Sequence, residues 1–158
     1  MSPAMPSGEV VSTWGGDIKG FKGKGGQAEV WVRATRARLN SIHEAMRALA
    51  RETRAVRGHD FALADHTRGR NGQLTLRWRL VGRPARHVTW AAIASRVGGL
   101  PPALAHWYRR AHGAALLLNH QEMAVRHELR LAERCREEAR SANLDHEQAH
   151  APIRGSPS

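Results

Sequence analysis

Residues 27–57 read QAEVWVRATRARLNSIHEAMRALARETRAVR, and this stretch decides the fold. Val32, Thr35, Leu39, Ile42, Met46, Leu49, Thr53 and Val56 recur at alternating three- and four-residue steps. That spacing gathers them into one stripe of a helix, the narrow seam of a coiled-coil contact. Between them stand Arg33, Arg36, Arg38, Arg47, Arg51, Arg54 and Arg57, so the rod has one adhesive face and one cationic face. The helix is expected from Gln27 to Arg57, stopped by Gly58. A seam of this length needs a second helix of the chain, or a second copy of the chain, to cover it.

The chain supplies a second seam. Pro101 suits the first turn of a helix. After it Leu104, Tyr108, Ala111, Ala115, Leu118, Val125, Leu129, Ala132 and Ala139 follow the same spacing to about Ala142. Glu122 and Arg136 interrupt this seam, and Gly113 is a candidate kink. Between the two seams the period changes to two. Leu74, Leu76, Trp78 and Leu80 face one way, and Thr75, Arg77, Arg79 and Val81 the other, which describes a half-buried strand. Asn71-Gly72 is a hairpin-turn signal before it. Phe61 to Arg68 reads equally as a weak strand or a loop. After Gly82-Arg83-Pro84, His87 to Thr89 could return as a short third strand. Thr89 can cap a short helix, Trp90 to Val97, ended by Gly98-Gly99.

The fold class expected is α+β: two long antiparallel helices with a small antiparallel β-hairpin or three-stranded sheet and a short connecting helix. Residues 1–18 are expected to be a disordered amino-terminal segment, 19–142 a single domain, and 143–158 a disordered tail.

The chain has 158 residues, a formal charge of +11 and an isoelectric point near 11.5. The charge is arginine-rich, for Lys19, Lys22 and Lys24 are the only lysines. A balance this basic favours polyanions. It is concentrated in the middle: residues 58–100 hold seven arginines against two carboxylates, whereas residues 101–142 hold seven against five. Arg68, Arg70, Arg77, Arg79, Arg83 and Arg86 cluster around the expected hairpin. Guanidinium forks match phosphate geometry, and a β-ribbon can enter a groove or track a single strand. Arg77 and Arg79 are expected to be exposed, opposite the face of Leu74, Leu76, Trp78 and Leu80. Trp78 itself belongs to the core rather than to a base-stacking surface. Lys22 and Lys24, in the flexible basic stretch Lys19 to Gly26, join the candidate nucleic-acid contacts.

Thr89 to Trp107 resembles a helix-turn-helix, with Ala94, Gly98 and Leu104 at the small-residue, turn-glycine and aliphatic positions. Gly99 stands where an aliphatic usually packs, and the second helix carries an apolar seam. If the motif contacts DNA, His106, Arg109 and Arg110 are its reading or phosphate-holding residues.

Other chemistries find little support. Cys135 is the single cysteine, so no internal disulfide is possible and a reducing compartment is the simple reading. Met1 to Gly8 lacks the apolar core of a signal peptide. The longest apolar run, Ala114 to Leu118, is too short to span a bilayer. His120 and His127 do not have the spacing of a helical zinc motif. No nucleophile, base and acid set stands out. The expectation is a cytoplasmic protein that is not an enzyme, with no metal, no cofactor and no membrane partner. Its partner would be nucleic acid, DNA rather than RNA, with a homodimer as a further candidate. The alternative is a coiled-coil module for protein interaction or oligomerisation, with no direct nucleic-acid role.

Several stretches resemble, in order, a family of unknown function found in bacterial integrative and conjugative elements. They are Phe21-Lys22-Gly23-Lys24-Gly25, Leu76-Arg77-Trp78-Arg79, Trp90, Leu100-Pro101, Trp107-Tyr108 and Leu118-Asn119. The likeness spans about Lys19 to Leu131. It implies a role in the replication, maintenance or regulation of a mobile element, and it carries no catalytic residue over to this chain.

Overall fold

A computed structural model describes residues 26–58, 60–69, 71–82 and 86–149, with side chains through Asn143. Five elements follow one another: α1 (Gln27–Ala55), β1 (Phe61–Arg68), β2 (Gln73–Leu80), α2 (Trp90–Gly98) and α3 (Pro102–Ala149). The fold is α+β, a pair of long helices carrying a two-stranded antiparallel hairpin.

The two seams meet each other. Val32, Leu39 and Met46 of α1 are buried, as are Tyr108, Ala115, Val125 and Ala132 of α3. The helices run antiparallel, since Glu29 near the start of α1 pairs with Arg136 and Arg140, whereas His43 in its middle meets Glu122. Small alanines on α3 opposite larger side chains on α1 let the axes approach closely. Ile42 and Leu49 are half-buried at the edge of the seam rather than enclosed in it. The helix α3 runs on to Ala149, past the expected stop near Ala142. Its continuation, Asn143 to Ala149, contains no proline or glycine, so nothing local ends the helix there.

Phe61–Arg68 is a full strand, which resolves the choice left open between strand and loop. Its register pairs Phe61 with Leu80, Leu63 with Trp78 and Asp65 with Leu76. The inner face of the hairpin therefore presents Phe61, Leu63, Leu74, Leu76 and Trp78, all buried, to the groove between α1 and α3. Gly69 and Gly72 turn the chain at φ of 60° and 64°, a backbone region that costs glycine nothing. No third strand forms. His87 makes a single bridge to Arg79, Val88 N donates to Trp78 O at 3.0 Å, and the chain then enters α2. Thr89 then starts α2 instead of continuing the ladder: its carbonyl accepts from Ala92 N at 3.1 Å, and its hydroxyl caps the same N–H.

Aromatic rings close the core at the α2 end. Trp78 meets Phe61, Trp90 and Tyr108 at centroid distances of 5.6–6.1 Å, and its indole N–H donates to His112 Nδ1 at 3.2 Å. Trp90 stacks on His112 at 4.2 Å. Trp78 is thus a core residue, as its place on the apolar face requires. Away from the hairpin, the first half of α1 and the second half of α3 form a two-helix arm.

Candidate nucleic-acid interface

A two-stranded sheet has two open edges, and each exposes backbone groups that need partners. Here the helices supply them. On the β1 edge, Leu63 N donates to Thr53 Oγ1 at 2.9 Å. On the β2 edge, Leu76 N donates to Asn119 Oδ1 at 2.8 Å, and Asn119 Nδ2 donates back to Leu76 O at 3.1 Å. One turn further along α3, Glu122 Oε1 accepts from Leu74 N at 3.1 Å. Glu122 is fully buried and also takes bonds from Arg126, while His43 Nε2 lies 3.2 Å away. Arg126 reaches onward, its guanidinium donating to Asn71 O at 2.7 Å and Gly72 O at 3.0 Å at the hairpin turn. Burial pushes the Glu122 carboxyl up. The hydrogen bonds from Arg126, His43 and Leu74 N, with the Arg126 charge, outweigh it and hold the group below its ordinary range. The interruption at Glu122 is therefore the pin that fixes the hairpin to α3.

With its edges pinned and its inner face buried, the hairpin offers only its outer face. The register puts Ala62 opposite Arg79, Ala64 opposite Arg77, His66 opposite Thr75 and Arg68 opposite Gln73. No carboxylate occurs among these positions. His87 adds a ring 5.5 Å from that of His66, edge to face. Partial desolvation and the nearby charges of Arg79 and Arg77, with a smaller part from His66, lower the His87 pKa below its ordinary value.

Arg77 and Arg79, expected to be exposed, are both half-buried. Their cross-strand neighbours are the small, buried Ala62 and Ala64. Arg79 Nε is buried without a hydrogen-bond partner among the described residues.

The carboxylates sort the arginines into two sets. Arg36 bonds to Glu133, Arg38 to both oxygens of Glu128, Arg54 to Asp65, Arg96 to Asp60, and Arg136 and Arg140 to Glu29. Glu128 also accepts from Trp31 Nε1 and Thr35 Oγ1. Trp31, then Thr35 and Arg38, keep its pKa low against the opposing effect of desolvation. These arginines stitch elements together. By contrast Arg68, Arg77, Arg79 and Arg86 around the hairpin and Arg109 and Arg110 on α3 make no ion pair among the described residues, and neither do Arg33, Arg47, Arg51 and Arg57 of α1 and its end or Arg130 and Arg134 of α3.

Of the candidate contacts, Arg68, Arg77, Arg79 and Arg86 come together around the hairpin. Arg86 is exposed beside His87 in a groove that also includes Arg96. Arg109 and Arg110 are exposed on α3. Lys22, Lys24, Arg70 and Arg83 lie outside the described residues. The helix-turn-helix pattern is present as two helices and a short turn, but its glycine does not work as expected. Gly98 is the last residue of α2 and Gly99 caps it at φ −84°, so neither adopts the left-handed conformation. Leu104 packs on the core.

Sequence reasoning missed His66, His87, Asn119 and Arg126. His66 had a signal, because it continues the period-two alternation that makes Phe61–Arg68 a strand. Asn119 and Arg126 had none, since each acts on backbone groups of a distant strand.

Among the described residues no helix is long and apolar enough to cross a membrane. Comparison with protein-family models, with characterised proteins and with solved structures returned no match.

Proposed function

We propose that this chain binds nucleic acid through the outer face of the β1–β2 hairpin, as an accessory protein of a mobile genetic element. One observation carries the reading. Arg68, Arg77, Arg79, Arg86, His66 and His87 surround a pinned two-stranded ribbon, and no carboxylate shares its outer face or pairs with these arginines among the described residues. A rigid array of unpaired guanidinium groups suits phosphate oxygens. Binding is mainly to the backbone, and four arginines would give a log-affinity against log-salt slope of roughly three to four.

The outer face has no Trp, Tyr or Phe. Single-strand binders rely on such rings to stack bases, so the reading favours duplex DNA over single strands. The seam of α1 is filled by α3 of the same chain, so the seam is not what a separate partner would bind. The resemblance of the sequence to conjugative-element proteins is what supports a role in replication, maintenance or regulation of such an element.

Fluorescence anisotropy with labelled duplexes of about 20 base pairs and the matching single strands tests this. Duplexes of unrelated sequence should bind with similar affinity, more tightly than the single strands. No binding at low salt, or binding confined to single strands, would overturn the proposal.

A further inference from the structure

We infer that the interface continues around the β1 edge of the hairpin onto α1, where Arg47 and Arg51 hold the phosphate strand that runs beside the ribbon. The inference rests on the hairpin binding a nucleic-acid duplex. Two anchors place β1 alongside α1. Leu63 N donates to Thr53 Oγ1, and Leu74, the cross-strand partner of Thr67, donates to Glu122 beside His43. From Thr53 back to His43 the helix runs about 15 Å, and from Leu63 to Thr67 the strand runs about 13 Å. The two elements therefore lie side by side in opposite directions, and α1 flanks the strand that carries His66 and Arg68.

Arg47 and Arg51 both fall within this stretch. Arg54 marks the flank that faces the strand, for it bonds to Asp65 at 3.4 Å. At 3.6 residues per turn Arg47 sits about 20° and Arg51 about 60° around the helix from Arg54. Both are exposed, and neither makes an ion pair among the described residues. Little negative charge competes for them. Asp65 is taken by Arg54, Glu29 by Arg136 and Arg140, and Glu52 lies about 160° from Arg54. Glu44 alone of the α1 carboxylates stands on this flank, about 80° from Arg54. A cationic flank alongside the strand of Arg68 suits a polyanion. A ribbon set in a major groove about 12 Å wide has a phosphate strand along each side. Contacts to those strands orient a protein on the duplex, and α1 supplies them on the β1 side.

Fluorescence anisotropy of the full chain with a duplex of about 20 base pairs, across a salt series, gives the test. Arg47→Gln/Arg51→Gln should keep its helical circular dichroism and Tm, since both positions are exposed. Its log-affinity against log-salt slope should be shallower than the parent's by roughly one to two units. Arg134→Gln/Arg140→Gln removes the same charge about 12 and 21 Å along α3 from Arg126, and should keep the parent slope. Glu44→Gln should bind about twofold more tightly at low salt. An α1 double variant with the parent's affinity and slope, beside a weakened Arg77→Gln/Arg79→Gln, overturns the inference and leaves the hairpin reading in place. Equal losses in the α1 and α3 double variants overturn it as well, because net charge alone then accounts for them. Loss in the α1 variant with none in Arg77→Gln/Arg79→Gln keeps α1 in contact and removes the hairpin. A parent that binds no duplex overturns both.

Discussion

Glu122→Ala should destabilise this protein more than any surface change, and its cost can be worked from the contacts. The carboxylate accepts from Leu74 N and from Arg126, and His43 Nε2 lies 3.2 Å from it, all at a site with no solvent exposure. Removing it leaves a buried strand amide without an acceptor, which costs about 1–3 kcal/mol. It also leaves Arg126, whose side chain is only 13% exposed, without its counter-charge. Breaking a buried pair from one side costs about 3–5 kcal/mol, and the two figures overlap because they share one carboxylate. We expect about 3–5 kcal/mol in all. In a domain of this size that lowers Tm by roughly 10–20 °C. Thermal unfolding followed at 222 nm measures it, and hydrogen exchange should show Leu74 N losing protection first. Glu122→Gln keeps an acceptor for Leu74 N and should lose less. A Glu122→Ala protein melting within about 3 °C of the parent would refute the pin.

Three further outcomes follow from the same contacts. Thr53→Val keeps the shape of the side chain but removes the acceptor of Leu63 N, and should cost about 1–3 kcal/mol by denaturant unfolding, with faster exchange of that amide. The Glu122 carboxyl is held below its ordinary value when folded, so its contribution is present above about pH 4.5 and is lost as pH falls through the folded pKa; acid titration of Glu122→Gln should lack that component. His87 is held below its ordinary value in the free protein, and a bound polyanion favours its protonated form. Duplex affinity should therefore rise as pH falls from about 7.5 to 6, and His87→Ala should flatten the rise; an unchanged pH profile would remove His87 from the interface.

Periodicity made the helix pair and β2 legible in the sequence. The steps of three and four in α1 and α3, and of two in Leu74 to Leu80, each reflect a face that must be buried. The same rule placed Trp78 in the core. Phe61–Arg68 was less legible because its inner face ends in Asp65 and Thr67, both exposed although their partners Leu76 and Leu74 are buried, so the apolar alternation fades. Counting charge by segment located the basic hairpin, but it could not say which arginines are already paired. Arg36 and Arg38 look like Arg33 in sequence, and only the antiparallel packing brings Glu133 and Glu128 to them. Arg77 and Arg79 pair across the ladder with Ala64 and Ala62, a register that the alternation of a single strand does not reveal.

The hairpin interface is tested most directly by the salt dependence of duplex binding in the double variant Arg77→Gln/Arg79→Gln. Glutamine keeps part of the apolar stem of each arginine at these half-buried positions, so folding should be nearly retained, which Tm checks. Affinity should fall at all salt concentrations and for all sequences. The log-affinity against log-salt slope should become shallower by roughly one to two units, about one per lost phosphate contact. A folded double variant with the affinity and slope of the parent would contradict the account.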